Sequence, residues 1–151
     1  MKQKSLSKPR KKLPRLPAHK SYNAFIATLE LEDIYLKELS AVYNTETICP
    51  AAKVTINMAA RYRNYRPDII KIYHDYFISI GDENSEEKDV EVKCVFVVTY
   101  KSPQRMTDTF FRVFKNLNLR VNTWPYMREL VHNTVRRMGI DAVIAPVYKV
   151  P

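Results

Sequence analysis

Three stretches of strict two-residue alternation constrain this chain more than anything else in it. Val54, Ile56, Met58 and Ala60 alternate with Lys53, Thr55, Asn57 and Ala59. Ile70, Ile72, His74, Tyr76, Ile78 and Ile80 form one face of a second run, and Val90, Val92, Cys94, Phe96, Val98 and Tyr100 one face of a third. Side chains alternate faces only in an extended chain, so each run predicts a β-strand with an apolar side. The connections are short and polar: Asn64-Tyr-Arg-Pro67, and the acidic Gly81-Asp-Glu-Asn-Ser-Glu-Glu-Lys88. Neither is long enough for a helical crossover, so the strands must run antiparallel as a meander. Phe25 to Leu39 is the expected first strand of a four-stranded sheet.

The remaining third reads as helix. Phe110, Phe111, Phe114 and Leu117 recur at helical spacing from Thr107 or Asp108 onward. A longer helix is predicted over 124–138, with Met127, Leu130, Val131, Thr134, Val135 and Met138 on its apolar face. Asn122 or Thr123 would cap its start, Pro125 would sit in its first turn, and Gly139 would end it. Strands followed by helices, without βαβ alternation, predict an α+β fold with the helices packed on one sheet face.

The net charge of +9 is uneven. Residues 1–20 contain eight lysines and arginines and no acid, so the other 131 residues carry 17 basic and 16 acidic groups. With Pro9, Pro14 and Pro17, that stretch reads as a flexible basic tail, 1–20, ahead of a folded domain, 21–151. The tail is a solvated leader or an electrostatic arm for RNA, anionic lipid or an acidic partner. No run approaches a membrane span, and the basic N-terminus lacks the apolar stretch of a signal peptide, so a cytoplasmic location is expected. Cys49 and Cys94 form no metal-binding pattern and read as reduced thiols.

No sequence element points to catalysis. There is no phosphate-binding glycine loop, no H-E-x-x-H and no G-x-S-x-G. His74 reads as a satisfied polar group, and Asp75 beside it points to the opposite face of its strand. The expectation is a non-enzyme with no catalytic residue, no cofactor and no metal site. The informative oddity lies elsewhere. Ile69, Tyr73 and Phe77, with Val95 and Val97, give the sheet's second face an apolar character too, and such a face marks a binding or assembly surface.

The order Trp124-Pro-Tyr-x-Arg-Glu129, a helix, Gly139 and an apolar run into Ala145-Pro-Val147 resembles the SecB family of export chaperones. Residues 25–40, ending in Ile-Tyr-Leu-Lys-Glu-Leu-Ser, are similar to that family's first strand. The resemblance implies an ATP-independent holdase for unfolded or aggregation-prone clients, serving preprotein export or a dedicated client such as an antitoxin. It implies a homotetramer, a dimer of dimers paired edge to edge and through the long helices. It also implies a client groove between the outer sheet face and a crossover loop, Val42 to Lys53. The groove residues would be Tyr43, Ile48, Ile69, Tyr73, Phe77, Val95 and Val97. Of the family's acidic contacts to the SecA motor only Glu38 remains, because Val42 and Val95 occupy the others and Lys93 brings the opposite charge. The family's last helix has no counterpart after Ala-Pro-Val, so weak or undetectable SecA binding is expected. The alternative is a nucleic-acid-associated α+β protein that binds through its basic tail. A basic stripe on the long helix (Arg128, Arg136, Arg137), near Trp124 and Tyr126, belongs to that reading.

Overall fold

The structure, a computed structural model, describes residues 17–141. Its elements are α1 (His19–Ala27), β1 (Glu30–Tyr43), β2 (Lys53–Arg66), β3 (Ile69–Gly81), β4 (Val90–Lys101), α2 (Asp108–Phe114) and α3 (Asn118–Arg137). The four strands form one antiparallel sheet in the order β1-β4-β3-β2. The meander therefore comprises β2, β3 and β4. β1 lies beside β4, at the far edge from β2.

The β3–β4 hairpin falls on the expected acidic loop, whereas β2 continues through Asn64 to Arg66, paired with Ile70 and Ile69, and the first turn is confined to Pro67 and Asp68. Every even-numbered residue from Ile70 to Ile80 and from Val90 to Tyr100 is buried. The core they line has two lobes. Tyr76, Ile78, Cys94 and Phe96 pack with Trp124, Met127, Val131 and Val135 of α3 in the first. Ile70, Ile72, Val98 and Tyr100 pack with Tyr22, Phe25, Phe111, Phe114 and Leu119 in the second.

Two other boundaries differ from expectation. Phe25 begins no strand; it is fully buried in α1, with its ring stacked on Phe110 at 4.6 Å. Tyr22, Phe25 and Ile26 have the three- and four-residue spacing that marks this helix, and β1 begins only at Glu30. His19 and Lys20 belong to α1, whereas the rest of the expected tail, up to residue 16, lies outside the described residues. Second, α3 begins at Asn118, and Pro125 sits inside it. Thr123 is no N-cap: it is completely buried and donates its hydroxyl to the Leu119 carbonyl at 2.9 Å. Leu119, also completely buried, ties the first turn to the core, and Tyr22 donates to Asn118 Oδ1 at 2.8 Å. Tertiary anchoring at 118–119 thus outweighs the signal of a Trp-Pro helix start.

The far end of α3 obeys its signal. Gly139 has φ +79°, its N–H reaches the Arg136 carbonyl and that of Ile140 the Val135 carbonyl. This is a Schellman ending, with Ile140 packed into the same core lobe as Val135. Thr107 caps α2 by accepting from the Phe110 N–H. The Ala145-Pro-Val147 segment lies outside the described residues.

Candidate functional site

The helices cover β3 and β4 and leave β1 bare. In β1, Leu31, Leu36 and Leu39 pair in register with Tyr100, Phe96 and Cys94, which places them on the helix side. Tyr35 and Val42 pair with Val97 and Glu91, on the outer side. All five are large, apolar and between 40% and 48% exposed. A trough of about 240 Å³ runs between β1 and α3, lined by Ile34, Leu36, Phe96, Tyr126 and Leu130 with Glu129 and Asn133. A second, open groove of about 450 Å³ crosses the outer face, where Ser40, Val42, Asn57, Phe77, Glu91 and Lys93 meet.

The seven residues expected to share one client groove are divided by the fold. Tyr43 and Ile48 pack against the α3 lobe of the core, on the helix side. The connection 44–52 is held to the β3–β4 hairpin by Asn44 N–H to the Asp89 carbonyl at 2.8 Å and Cys49 N–H to Asp89 Oδ2 at 2.9 Å. This crossover therefore does not roof the outer face. Ile69, Tyr73 and Phe77 do lie on that face, together with Val95 and Val97. Only Phe77 is open, at 42% exposure; Val95 and Val97 are 3% and 0% exposed. Val97 lies in one cross-strand row between Tyr35 and Tyr73, and large flanking rings cover a small central residue. Val42, not among the expected groove residues, lines the open groove with Phe77. Its place in the outer register of β1 is the signal that would have found it.

Two ion pairs lie on the outer face. Lys93 Nζ lies 3.0 Å from Glu38 Oε1, and Arg61 Nη1 lies 2.7 Å from Asp75 Oδ2. Cations also rest on its rings, Lys37 and Arg61 on Tyr73 at 5.0 and 4.8 Å and Lys93 on Phe77 at 5.8 Å. On the helix side, His74 is buried against Thr123 and Tyr76. Thr123 Oγ1 lies 2.8 Å from His74 Nδ1 and 2.7 Å from Tyr76 Oη. A threonine hydroxyl has one proton, which here goes to the Leu119 carbonyl, so Tyr76 O–H and His74 Nδ1–H both donate to it. Burial, aided by the charge of Arg120, lowers the His74 pKa to about 4, so the ring is neutral near pH 7. Cys49 and Cys94 are free, and burial pushes the Cys94 thiol up to about 12, which leaves it protonated. Among the described residues, no group of three His, Cys, Asp or Glu side chains is placed to hold a metal ion, and no helix is long and apolar enough to cross a membrane.

No family model and no curated protein matches the sequence. The fold does have known counterparts. The SecB-like chaperone Rv1957 of Mycobacterium tuberculosis, solved with a ChAD peptide from the HigA1 antitoxin Rv1956, is similar at a TM-score of 0.69 and 15% identity. The likeness covers 87% of this chain and 99% of that one. A protein of unknown function from Streptococcus agalactiae is similar more distantly, at a TM-score of 0.42 and 8% identity, over 79% of this chain and 97% of that one. With nearly the whole mycobacterial chaperone superposed on a four-stranded antiparallel sheet and its helices, this chain has the SecB-like fold.

Proposed function

We propose that the chain is an ATP-independent holdase, a binder rather than an enzyme, that keeps extended segments of an unfolded or aggregation-prone client from associating. The observation that carries this reading is β1, which leaves large apolar side chains open on both of its faces. An exposed apolar surface of that extent is retained when something is to be bound there. The mycobacterial neighbour, a SecB-like chaperone bound to an antitoxin peptide, supports a client of that kind. The open client surface would be the Phe77–Val42 groove, with Val95 and Val97 as its floor and Tyr73 as its rim. Tyr43 and Ile48 would hold the crossover instead of touching the client. The protein would act in the cytoplasm.

The test is suppression of aggregation of a chemically unfolded protein by the full chain. Phe77→Asp should weaken holding severalfold and melt normally. Val95→Asp should lower stability by several kcal/mol, because a buried carboxylate there has no partner. Unimpaired holding by a folded Phe77→Asp variant would remove this groove from the client surface.

The Glu38–Lys93 pair bears on export. A carboxylate already neutralised by a neighbouring ammonium offers little to a basic docking surface. SecA binding should therefore be weak, and Glu38→Ala should leave client holding unchanged. Submicromolar SecA binding that Glu38→Ala abolishes would make the chain an ordinary export chaperone.

A further inference from the structure

The folded domain carries nearly balanced charge overall, yet one corner of the outer sheet face does not. At the β2–β3 turn a register shift between Asn64 and Arg66 sets Tyr65 in a bulge, with its side chain 47% exposed. Three cations converge on that single ring: Lys71 Nζ at 4.5 Å, and the Arg66 and Arg63 guanidiniums at 5.5 and 5.9 Å. Among the described residues the salt bridges are Lys53–Glu83, Arg61–Asp75 and Lys93–Glu38. None of the three cations around Tyr65 takes part. Like charges gathered without an ion-paired carboxylate repel one another, and an arriving anion relieves that repulsion. Along the same face, Lys37 and Arg61 lie over Tyr73, the next aromatic ring. Asp33 and Glu30 occupy the outer register of β1, across β4, and mark where the basic region ends.

We propose that this Tyr65–Tyr73 half of the outer sheet face binds single-stranded nucleic acid. Phosphates would sit among Arg63, Arg66 and Lys71, and bases would stack on Tyr65 and on the guanidinium planes. The aromatic rings decide between partners. An acidic peptide would use the cations but brings no aromatic ring with its charges for the tyrosines to stack on, whereas every base presents one. An open, flat sheet face also suits unpaired bases better than a duplex, whose bases are already stacked. This surface adjoins the Phe77–Val42 groove at Tyr73, but its centre at Tyr65 lies outside that groove and does not depend on the chaperone reading. It also differs from the tail, which would bind any polyanion by charge alone.

The probe is a fluorescent oligothymidylate of about twelve nucleotides, long enough for one such site, titrated with the full chain over a range of salt. Arg63→Glu with Arg66→Glu should weaken binding at least about tenfold and lower the salt slope by about two. Tyr65→Ala should weaken binding with the slope unchanged, and Tyr65→Phe should retain it, because the ring stacks and the hydroxyl is not needed. All of these side chains are exposed, and unchanged melting confirms that the variants fold. A control replacing Lys8, Arg10, Lys11 and Lys12 by alanine in the full chain should weaken duplex and single strand alike. The proposal is overturned if the double charge reversal leaves oligothymidylate binding intact. It is also overturned if Tyr65→Ala has no effect while an oligoglutamate competes as well as the oligonucleotide, which would make the patch a dock for acidic protein.

Discussion

The residue that most repays attention is Thr123. Its position before Trp-Pro reads as a helix cap, yet its hydroxyl closes a buried set of hydrogen bonds with Leu119, His74 and Tyr76. Nothing local in the sequence reveals this, because His74 and Tyr76 lie almost fifty residues away. His74 was legible as a satisfied polar group, since it falls on the apolar face of an alternating strand without a second metal ligand near it. Its environment gives a pH dependence with a definite sign. The folded state holds the imidazole neutral down to about pH 4, whereas the unfolded chain protonates it near 6.5. Between those values the unfolded state binds more protons, so stability falls as pH drops from about 6.5 toward 4. The loss should approach about 3 kcal/mol from this one group. Denaturant midpoints measured at pH 7 and pH 4.5 should show it, and His74→Gln should flatten the difference by that share. An equal decline in the variant would assign the acid sensitivity to carboxylates instead.

Among the elements, legibility followed the strength of periodicity. β3 and β4 were readable almost to the residue, because each alternates over about a dozen positions, whereas β2 was legible only to Ala60, its last residues running into what reads as a polar turn. α1 was missed, since Ala18 offers no side-chain cap and its few apolar positions sit beside the β-like Leu29–Leu39 stretch. The start of α3 was misplaced because a proline is usually tolerated only in a first turn. Here Leu119 and Asn118 hold the helix in place ahead of Pro125, an exposed residue that removes one backbone donor and crowds the carbonyl four residues before it. Pro125→Ala should accordingly raise stability by about 1–3 kcal/mol. Thermal melting measures this, and a destabilised variant would mean that the proline sets the path on which Trp124 and Met127 reach the core. The candidate site was legible as a set of apolar residues on the outer face but not as a groove. Burial of Val95 and Val97, and the side on which the crossover runs, depend on which strands become neighbours, and alternation within one strand does not encode that.

At the scale of the whole molecule, β1 has a free edge as well as two exposed faces, and α3 presents Val121 and Tyr126 outward, at 46% and 48% exposure. Surfaces of this kind are covered in solution by another copy or become aggregation liabilities. A dimer of dimers, with β1 edges paired and long helices packed together, would cover the edge and the helix. Light scattering at micromolar concentration should give about four times the 17.7 kDa chain mass. Leu36→Asp combined with Tyr126→Asp should split the assembly without unfolding it. A monomer mass for the unaltered chain would count against the assembly and against the chaperone reading that shares its surfaces.

The order of strands has a consequence for the protein's own synthesis. β1 is made first among the described strands, but its neighbour in the sheet, among the described residues, is β4, made last. Its partners lie downstream by 47 residues, for Tyr43 and Val90, to 71, for Glu30 and Lys101. A ribosome delivering this polypeptide must therefore display β1, with Leu31, Tyr35, Leu36, Leu39 and Val42, before anything exists to pair with it. Closing so long a loop also comes late, since its entropy must be offset by contacts that only the finished hairpins provide. For that interval the nascent chain is an exposed, extended, apolar segment of the very kind that its finished form is proposed to hold.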